Sequence, residues 1–421
     1  MSRVVSAHDA IGRIKAGARV LFGSAEPTVL VSALLDDIER LRRVEIISGF
    51  SLGDYPFLGE GFKDRIDYTT WQINPRAIPL VRSRRVRFVP LALSRIPSAV
   101  APGGPLFPDV FLVQTSPPDD KGNLSLGSSV GFALGAATNT PMVIAQINPR
   151  VPRTVGRTTI PVSRVECMVE SDVPLLEMAE KQSTESDRRI AELVADLIPD
   201  GATVELGVGG IPNSVYHALH EKKNLGIHSG MVSDGIIGLV ESGAVTGRNK
   251  SIDRGRIVVA EAVGTRRLYE YIDGNVLFSM QPYDYTHDQS NLVKLDNFHA
   301  VNSAIEVDLA GQVNAESIAG MPIGAGGILD FSVAAYISRG GRSIIALPST
   351  RKRGEVSTIL SRFAEGTPVT LPKGMVDYVV TEFGVARLRG ASVRERAEAL
   401  ATIAHPDHRD GLMEGIVRLT G

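Results

Sequence analysis

The stretch PTVLVSALLDDIERLRRVEIISGF, residues 27–50, decides the fold class. Its first part, 27–41, reads as an amphipathic helix. Its second part, 42–50, is a short β-branched strand running into a Ser-Gly turn. Working outward, the same strand-into-turn pattern recurs in RRVRFVPLAL (84–93), DVFLVQTS (109–116) and TPMVIAQIN (140–148). Alternation of this kind predicts an α/β sheet layered by helices. Ligands of such sheets sit at the carboxyl ends of strands, so the turns after strands are where chemistry is expected.

The second half repeats the scheme. A long helix is predicted over 174–197, and new strands over ATVELG, RGRIVVAEAVGT, AVNSAIEVDL, RSIIALPST and VDYVVTEFG. KGNLSLGSS (121–129) and AGQVNAES (310–317) read as two similar turns, each ahead of an apolar strand. Two related α/β domains, 1–184 and 185–421, are the expected organisation, and chance similarity is the competing account. The tail reads as two helices broken at His405–Pro406.

Composition narrows the function classes. The 421 residues carry Lys+Arg 45 against Asp+Glu 47, a net charge of -2, which lacks the basic excess of a nucleic-acid binder. A single cysteine, Cys167, leaves no disulfide framework or cysteine zinc site and suits a reducing cytoplasm. No apolar run of about 18 residues occurs, so no membrane span is expected. The start, MSRVVSAHDAIGRIKAG, does not read as a signal peptide.

Four motifs could carry chemistry. ELGVGGIPNSV places Gly207, Gly209 and Gly210 between a strand and a helix, where amides can face an anion or simply make a tight turn. Pro212 stands where a dinucleotide loop would need glycine, and no P-loop lysine follows. MPIGAGGILDF offers Gly324, Gly326 and Gly327, and the turn Arg351–Lys352–Arg353 offers either a solvated basic tip or countercharge for phosphates. LGIHSGMVSDG contains His228 and Ser229, which lack a nucleophile-elbow context; a packed histidine is the plain alternative. No metal-ligand cluster is visible, so no metal is expected. Glu261 lies inside the apolar strand IVVAEAVGT, as a functional carboxylate or as one paired with Arg266 or Arg267.

In combination, ELGVGGIPN, LGIHSGMVSDG, GTRRLY, NSAIEVDLAGQVNAES, GAGGILDF, IIALPST, VVTEFGVARLRG and IAHPDHRDGL resemble the acetyl-CoA hydrolase/transferase family. The likeness is strongest to its 4-hydroxybutyrate and butyrate CoA-transferases, and GSAEP (23–27), DVFLVQTSPPDDKGNLSLG and VPRTVG extend it to the N-terminal half. It implies two open α/β domains of the class I CoA-transferase type facing across a cleft. It also implies an acyl-CoA substrate, with coenzyme A as part of that substrate, and a homodimer; composition and motifs add the expectation of a cytoplasmic protein with no metal and neither nucleic acid nor membrane as partner. In the family a glutamate attacks the thioester, forming an anhydride and then a glutamyl-CoA thioester.

That glutamate lies in a segment resembling IHTEM or IHSEM, and here the segment reads Ile227–His228–Ser229–Gly230–Met231. Gly230 has no side chain to acylate. By the same resemblance Gly207, Gly209 and Gly210 would surround the thioester carbonyl, and Gly324, Gly326, Gly327 and Lys352 would lie along CoA. Ser332–Val333–Ala334 stands where the family has an arginine and Gly-Ala, and Glu261 where it is apolar or aromatic. The leading expectation is water-mediated hydrolysis, at the thioester or at a carbon–carbon bond beta to it, with Glu261 as general base. A CoA-transferase with Glu261 as relocated nucleophile and an inactive CoA-binding protein are the alternatives. Phe57, Phe62, Tyr68 and Trp71 offer either an acyl-pocket wall or core.

Overall fold

The computed structural model describes residues 3–73, 77–82 and 85–420. They fold as two compact units, Met1–Ala179 with Val259–Thr286 and Met321–Gly324, and Glu180–Val258 with His287–Gly320 and Ala325–Gly421.

In the first unit, eight strands form one parallel sheet. Arg19–Phe22 lies between Val44–Ser48 and Val110–Thr115, and the chain winds outward from it in both directions. One arm continues to Ile66–Thr70 and Val86–Phe88, the other to Met142–Ile147 and Cys167–Glu170. Strands covered on both faces read as continuous apolar runs, and all six residues of Val110–Thr115 are buried. The reversal of winding opens a crevice beyond the carboxyl ends of the central strands, and GSAEP (23–27) starts there.

The opening stretch folds much as its pattern predicts, with one difference. The helix of 27–41 is two segments, Thr28–Asp36 and Ile38–Leu41, broken at Asp37. The break lets Ile38 and Leu41 join the core alongside Leu30, Val31 and Leu34. Each such burial contributes about 1.5–3 kcal/mol. In the predicted strand 84–93, Val86–Phe88 is a strand, and Arg84 lies outside the described residues.

The second unit has its own reversal. Thr203–Leu206 lies between Gly226–Val232 and Phe298–Ser303. Arg342–Ala346 and Tyr378–Thr381 extend the sheet in parallel, and Gly384–Arg387 closes it antiparallel. Gly207–Gly210 therefore leaves the carboxyl end of the switch strand. Ile257–Ala262 carries the chain from the second unit into the first.

The helix expected over 174–197 is shorter than predicted. It starts at Glu185, where Thr184 and Asp187 form a capping box, and ends at Leu197. Before it the chain is irregular and tied down by Met178 N–H donating to the Gly264 carbonyl and the Tyr269 hydroxyl donating to the Leu176 carbonyl, both 2.9 Å. Helical periodicity in a segment led by Pro174 loses here to these contacts.

The two similar turns share one construction. Asp119 Oδ1 accepts from the N–H groups of Lys121 and Asn123, and Asp308 Oδ1 from those of Ala310 and Gln312. Gly122 and Gly311 close them at φ 74° and 86°, where a side chain would be strained. The tail is two helices, Val393–Thr402 and Pro406–Thr420.

Candidate active site

Glu261 is the one charged residue of Ile257–Ala262 and is only 2% exposed. Backbone bonds fasten its strand to segment 128–131: Val130 N–H donates to the Ala260 carbonyl at 3.1 Å and Ala262 N–H to the Ser128 carbonyl at 2.8 Å. Hydroxyls, not a cation, hold the carboxylate. Ser24 donates to Oε2 at 2.8 Å and Tyr283 to Oε1 at 3.3 Å. Ser129 Oγ lies 2.8 Å from Ser24 Oγ, completing the cluster. Arg266, a possible partner from the sequence, pairs instead with Glu270 at 2.5 Å.

This setting decides the charge state. Burial pushes the Glu261 carboxyl up to about 7, with Ser129, Ser24 and Tyr283 pulling it partly back. Tyr283 is raised well above its ordinary value, by burial and then by Glu261, so it remains a donor. Glu261 is thus a carboxylate that gains and loses its proton near neutrality.

A second buried carboxylate stands close by. Glu26, in the loop that follows Arg19–Phe22, accepts from Ser51 Oγ at 2.5 Å. Burial raises its pKa, Ser51 lowers it and Asp54 raises it again. Glu26 and Glu261 line one cavity of about 30 Å3, together with Ser24, Gln114 and Ser129. That is room for about one or two water molecules. Each carboxylate faces a glycine: a Cβ at residue 53 would fall 2.2 Å from Glu26 Oε2, and one at residue 131 would fall 2.3 Å from Glu261 Oε1.

The second unit holds the other motif residues. Gly209 takes φ 131° and leads into the helix Gly210–Ala218 without a side-chain cap. A Cβ at Gly207 would meet nothing within 4 Å, so the loop backbone is open to a ligand. The first helical bond runs from Asn213 N–H to the Gly209 carbonyl at 3.0 Å, which leaves the Gly210 and Ile211 amides at the helix start. Glu205, on the strand before this loop, is buried, accepts from Asn302 Nδ2 at 2.9 Å and is pushed by burial up to about 8. The sequence reading missed Glu205, although it carries the same signal as Glu261, a carboxylate in an apolar strand.

Gly230 lies in the strand Gly226–Val232, and the space beside it is filled. A Cβ there would lie 2.9 Å from His287 Nε2 and 3.2 Å from Phe331. His287 is fully buried, its ring 4.6 Å from that of Phe331, and burial pushes its pKa down to about 3, so it is neutral. A Cβ at Gly327 would fall 3.4 Å from His287 and 2.9 Å from Phe331. Gly230 and Gly327 are thus brought together around His287.

Other predicted residues are engaged in the fold. Ser229 Oγ is within 2.8 Å of the Leu206 carbonyl and 2.9 Å of the Met231 carbonyl. His228 is buried, edge-on to Phe298. Gly324 takes φ 93° with the Trp71 carbonyl 2.6 Å from where a Cβ would stand, and Gly326 takes φ 62° in open space. Lys352 sits exposed at φ 50° at the tip of the Thr350–Arg351 and Val356–Ser357 hairpin. Arg351 pairs with Glu306 at 3.1 Å, and the Arg353 side chain lies outside the described residues. Ser332, Val333 and Ala334 belong to the helix Ile328–Ile337.

Of the aromatic residues, Phe57 and Tyr68 are core, with ring centroids 5.2 Å apart, and Phe62 packs against that cluster. Trp71 is buried edge-on to Phe132. Cys167 is a buried free thiol. Among the described residues no group of three or more His, Cys, Asp or Glu could hold a metal ion, and no helix is long and apolar enough to cross a membrane.

Known proteins align with nearly the whole of this chain. Residues 1–177 match the acetyl-CoA hydrolase/transferase N-terminal domain and residues 264–416 its C-terminal domain. The chain is 39% identical over 414 residues to 4-hydroxybutyrate coenzyme A transferase of Clostridium kluyveri, covering 98% of this chain and 96% of that one. It is 37% identical to succinyl-CoA:cyclohexane-1-carboxylate CoA transferase of Geobacter metallireducens, covering 99% and 95%. Among solved structures, RipA from Yersinia pestis superposes with a TM-score of 0.93 at 32% identity, covering 99% and 98%. A 4-hydroxybutyrate CoA-transferase from Porphyromonas gingivalis gives 0.85 at 33% identity, covering 99% and 98%.

Proposed function

Because the chain belongs to the acetyl-CoA hydrolase/transferase family, we propose that it transfers coenzyme A from an acyl-CoA to a free carboxylic acid, with Glu261 as the acylated carboxylate. Action on acyl-CoA thioesters in a CoA-transferase-like site, with CoA as part of the substrate, comes with the family. Transfer rather than hydrolysis is supported by the transfer activities that both curated relatives are named for.

The carrying observation is the hydroxyl-lined burial of Glu261. In the ionised form one carboxylate oxygen attacks the thioester carbon, the carbon–sulfur bond breaks, and CoA leaves as thiolate. The thiolate then attacks the glutamyl carbonyl of the anhydride, releasing the first acid as its carboxylate and leaving glutamyl-CoA. The acceptor carboxylate reverses both steps. A carboxylate with a pKa of about 7 is a stronger nucleophile than one in water, and its hydroxyl donors fix its orientation. The test is Glu261→Gln, expected to abolish transfer while CoA still binds.

A second reading, hydrolysis, is favoured by the water-sized cavity that Glu26 and Glu261 share. There Glu261 would take a proton from water attacking the acyl carbon, and Glu26 would return one to the thiolate. Product analysis with and without an acceptor acid separates the two, since hydrolysis releases free CoA without acceptor. An inactive CoA-binding protein would bind CoA and turn over no acyl-CoA at all. We place the enzyme in the cytoplasm as a homodimer, the latter measurable by light scattering.

A further inference from the structure

Beside the Glu261 cavity the first unit contains a larger one of about 620 Å3, within the range of small-molecule sites. Val151, Leu175 and Tyr269 line both, so these three side chains divide one volume from the other. Val151 and Tyr269 are buried and fixed. Val151 Cγ1 stands 2.4 Å from where a Cβ at Gly127 would fall, and the Tyr269 hydroxyl donates to the Leu176 carbonyl at 2.9 Å. Leu175 is half-buried and belongs to the irregular segment ahead of the helix that starts at Glu185. The backbone of that segment is held on both sides of it. Asn148 Nδ2 donates to the Val173 carbonyl at 2.8 Å, and Met178 N–H donates to the Gly264 carbonyl at 2.9 Å. None of these bonds uses the Leu175 side chain, so it can be shortened without releasing the segment.

The larger cavity suits hydrocarbon. Pro117, Pro149, Pro152 and Pro174 add their ring carbons to Val151 and Leu175 on its wall. Its charges are engaged with one another: Arg150 pairs with Asp172 at 2.8 Å, Arg266 pairs with Glu270 at 2.5 Å, and Arg153 donates to the Pro117 carbonyl and acts on Asp119. Asp273 accepts from the Arg153 N–H at 2.6 Å, and the field of Glu177 falls on Arg266. Resting on the assignment of Glu261, we infer that Leu175 is a specificity-determining residue that sets the length of the acyl chain. With Val151 and Tyr269 it stops the chain about one or two carbons beyond the reacting carbonyl, where the room is that of one or two water molecules. It thereby bars the further methylenes of a longer chain from the larger cavity. Leu175 touches no reacting atom in this account.

The experiment measures kcat/KM for propanoyl-CoA and hexanoyl-CoA, with acetate as acceptor, in wild type, Leu175→Ala and Leu175→Phe. Wild type favours propanoyl-CoA. Leu175→Ala raises the hexanoyl-to-propanoyl ratio at least about tenfold, since each further buried methylene is worth about fourfold in binding. Leu175→Phe, which keeps the partition, leaves the ratio at or below that of wild type. A ratio unmoved in Leu175→Ala, one raised equally by Leu175→Phe, or a wild type that already favours hexanoyl-CoA overturns the inference. Both thioesters are also titrated calorimetrically into Glu261→Gln and Glu261→Gln/Leu175→Ala, where the affinity ratio shifts in the same direction. That shift together with normal turnover by Glu261→Gln refutes the role of Glu261 and leaves the partition standing. Abolished turnover by Glu261→Gln without the shift overturns the partition alone.

Discussion

The Glu261 carboxylate fits only because residue 131 is glycine: a Cβ there would fall 2.3 Å from Oε1 and 2.8 Å from the Tyr283 ring. Gly131→Ala must therefore push the carboxylate away from Ser24 and Tyr283. A displacement on the order of 1 Å costs about 100-fold in rate. Turnover is expected to fall by that order while calorimetry finds CoA binding unchanged.

Activity should rise with pH along a single limb. If Glu261 is the acylated carboxylate, its reacting form is ionised, and with a pKa of about 7 kcat/KM grows as pH passes through that value. Ser24→Ala removes a bond that lowers this pKa, so the limb moves to higher pH. A wild-type profile flat from pH 5 to 8 would contradict the assignment.

The same carboxyl makes stability pH-dependent. Its folded pKa lies above its ordinary value of 4.5, so the native state holds the proton longer than the unfolded chain. Its stabilising contribution is full below about 4.5 and is lost as pH climbs towards about 7. Glu261→Gln escapes that loss. Its melting temperature, compared with wild type, should improve steadily between those pH values, by an amount on the order of 1–3 kcal/mol in stability.

Placing an acid at residue 230 should fail alone. His287 and Phe331 occupy the space within 2.9 and 3.2 Å of its Cβ, and overpacking of this kind costs about 1–3 kcal/mol. Gly230→Glu is expected to lower the melting temperature, and adding His287→Ala to recover part of it. Calorimetric melting of the single and double variants reads this directly.

The sequence carried the fold further than the site. Alternating strands and helices, two domains of one kind and the glycine loop after Thr203–Leu206 were legible because periodicity and turn chemistry are local. That Glu261 needs a special setting was legible too, because a carboxylate among Val258, Val259 and Ala260 is costly to bury. Its partners were not. Ser24, Ser129, Gly131 and Tyr283 are ordinary residues scattered along the chain, and only the tertiary fold brings them to one carboxylate. GSAEP was the nearest signal, since it follows the strand Arg19–Phe22 and carries Ser24 and Glu26, which line the cavity. The helix begins only at Glu185, although helical spacing persists back through 174–184, because tertiary contacts hold that segment irregular.

The most direct test is trapping. The enzyme is incubated with acyl-CoA in the absence of an acceptor acid, treated with borohydride or hydroxylamine, and digested for peptide mass analysis. The account predicts one modified residue, Glu261, and no modification in Glu261→Gln. Turnover by transfer with Glu261 unmodified, or with the label on another residue, would contradict it.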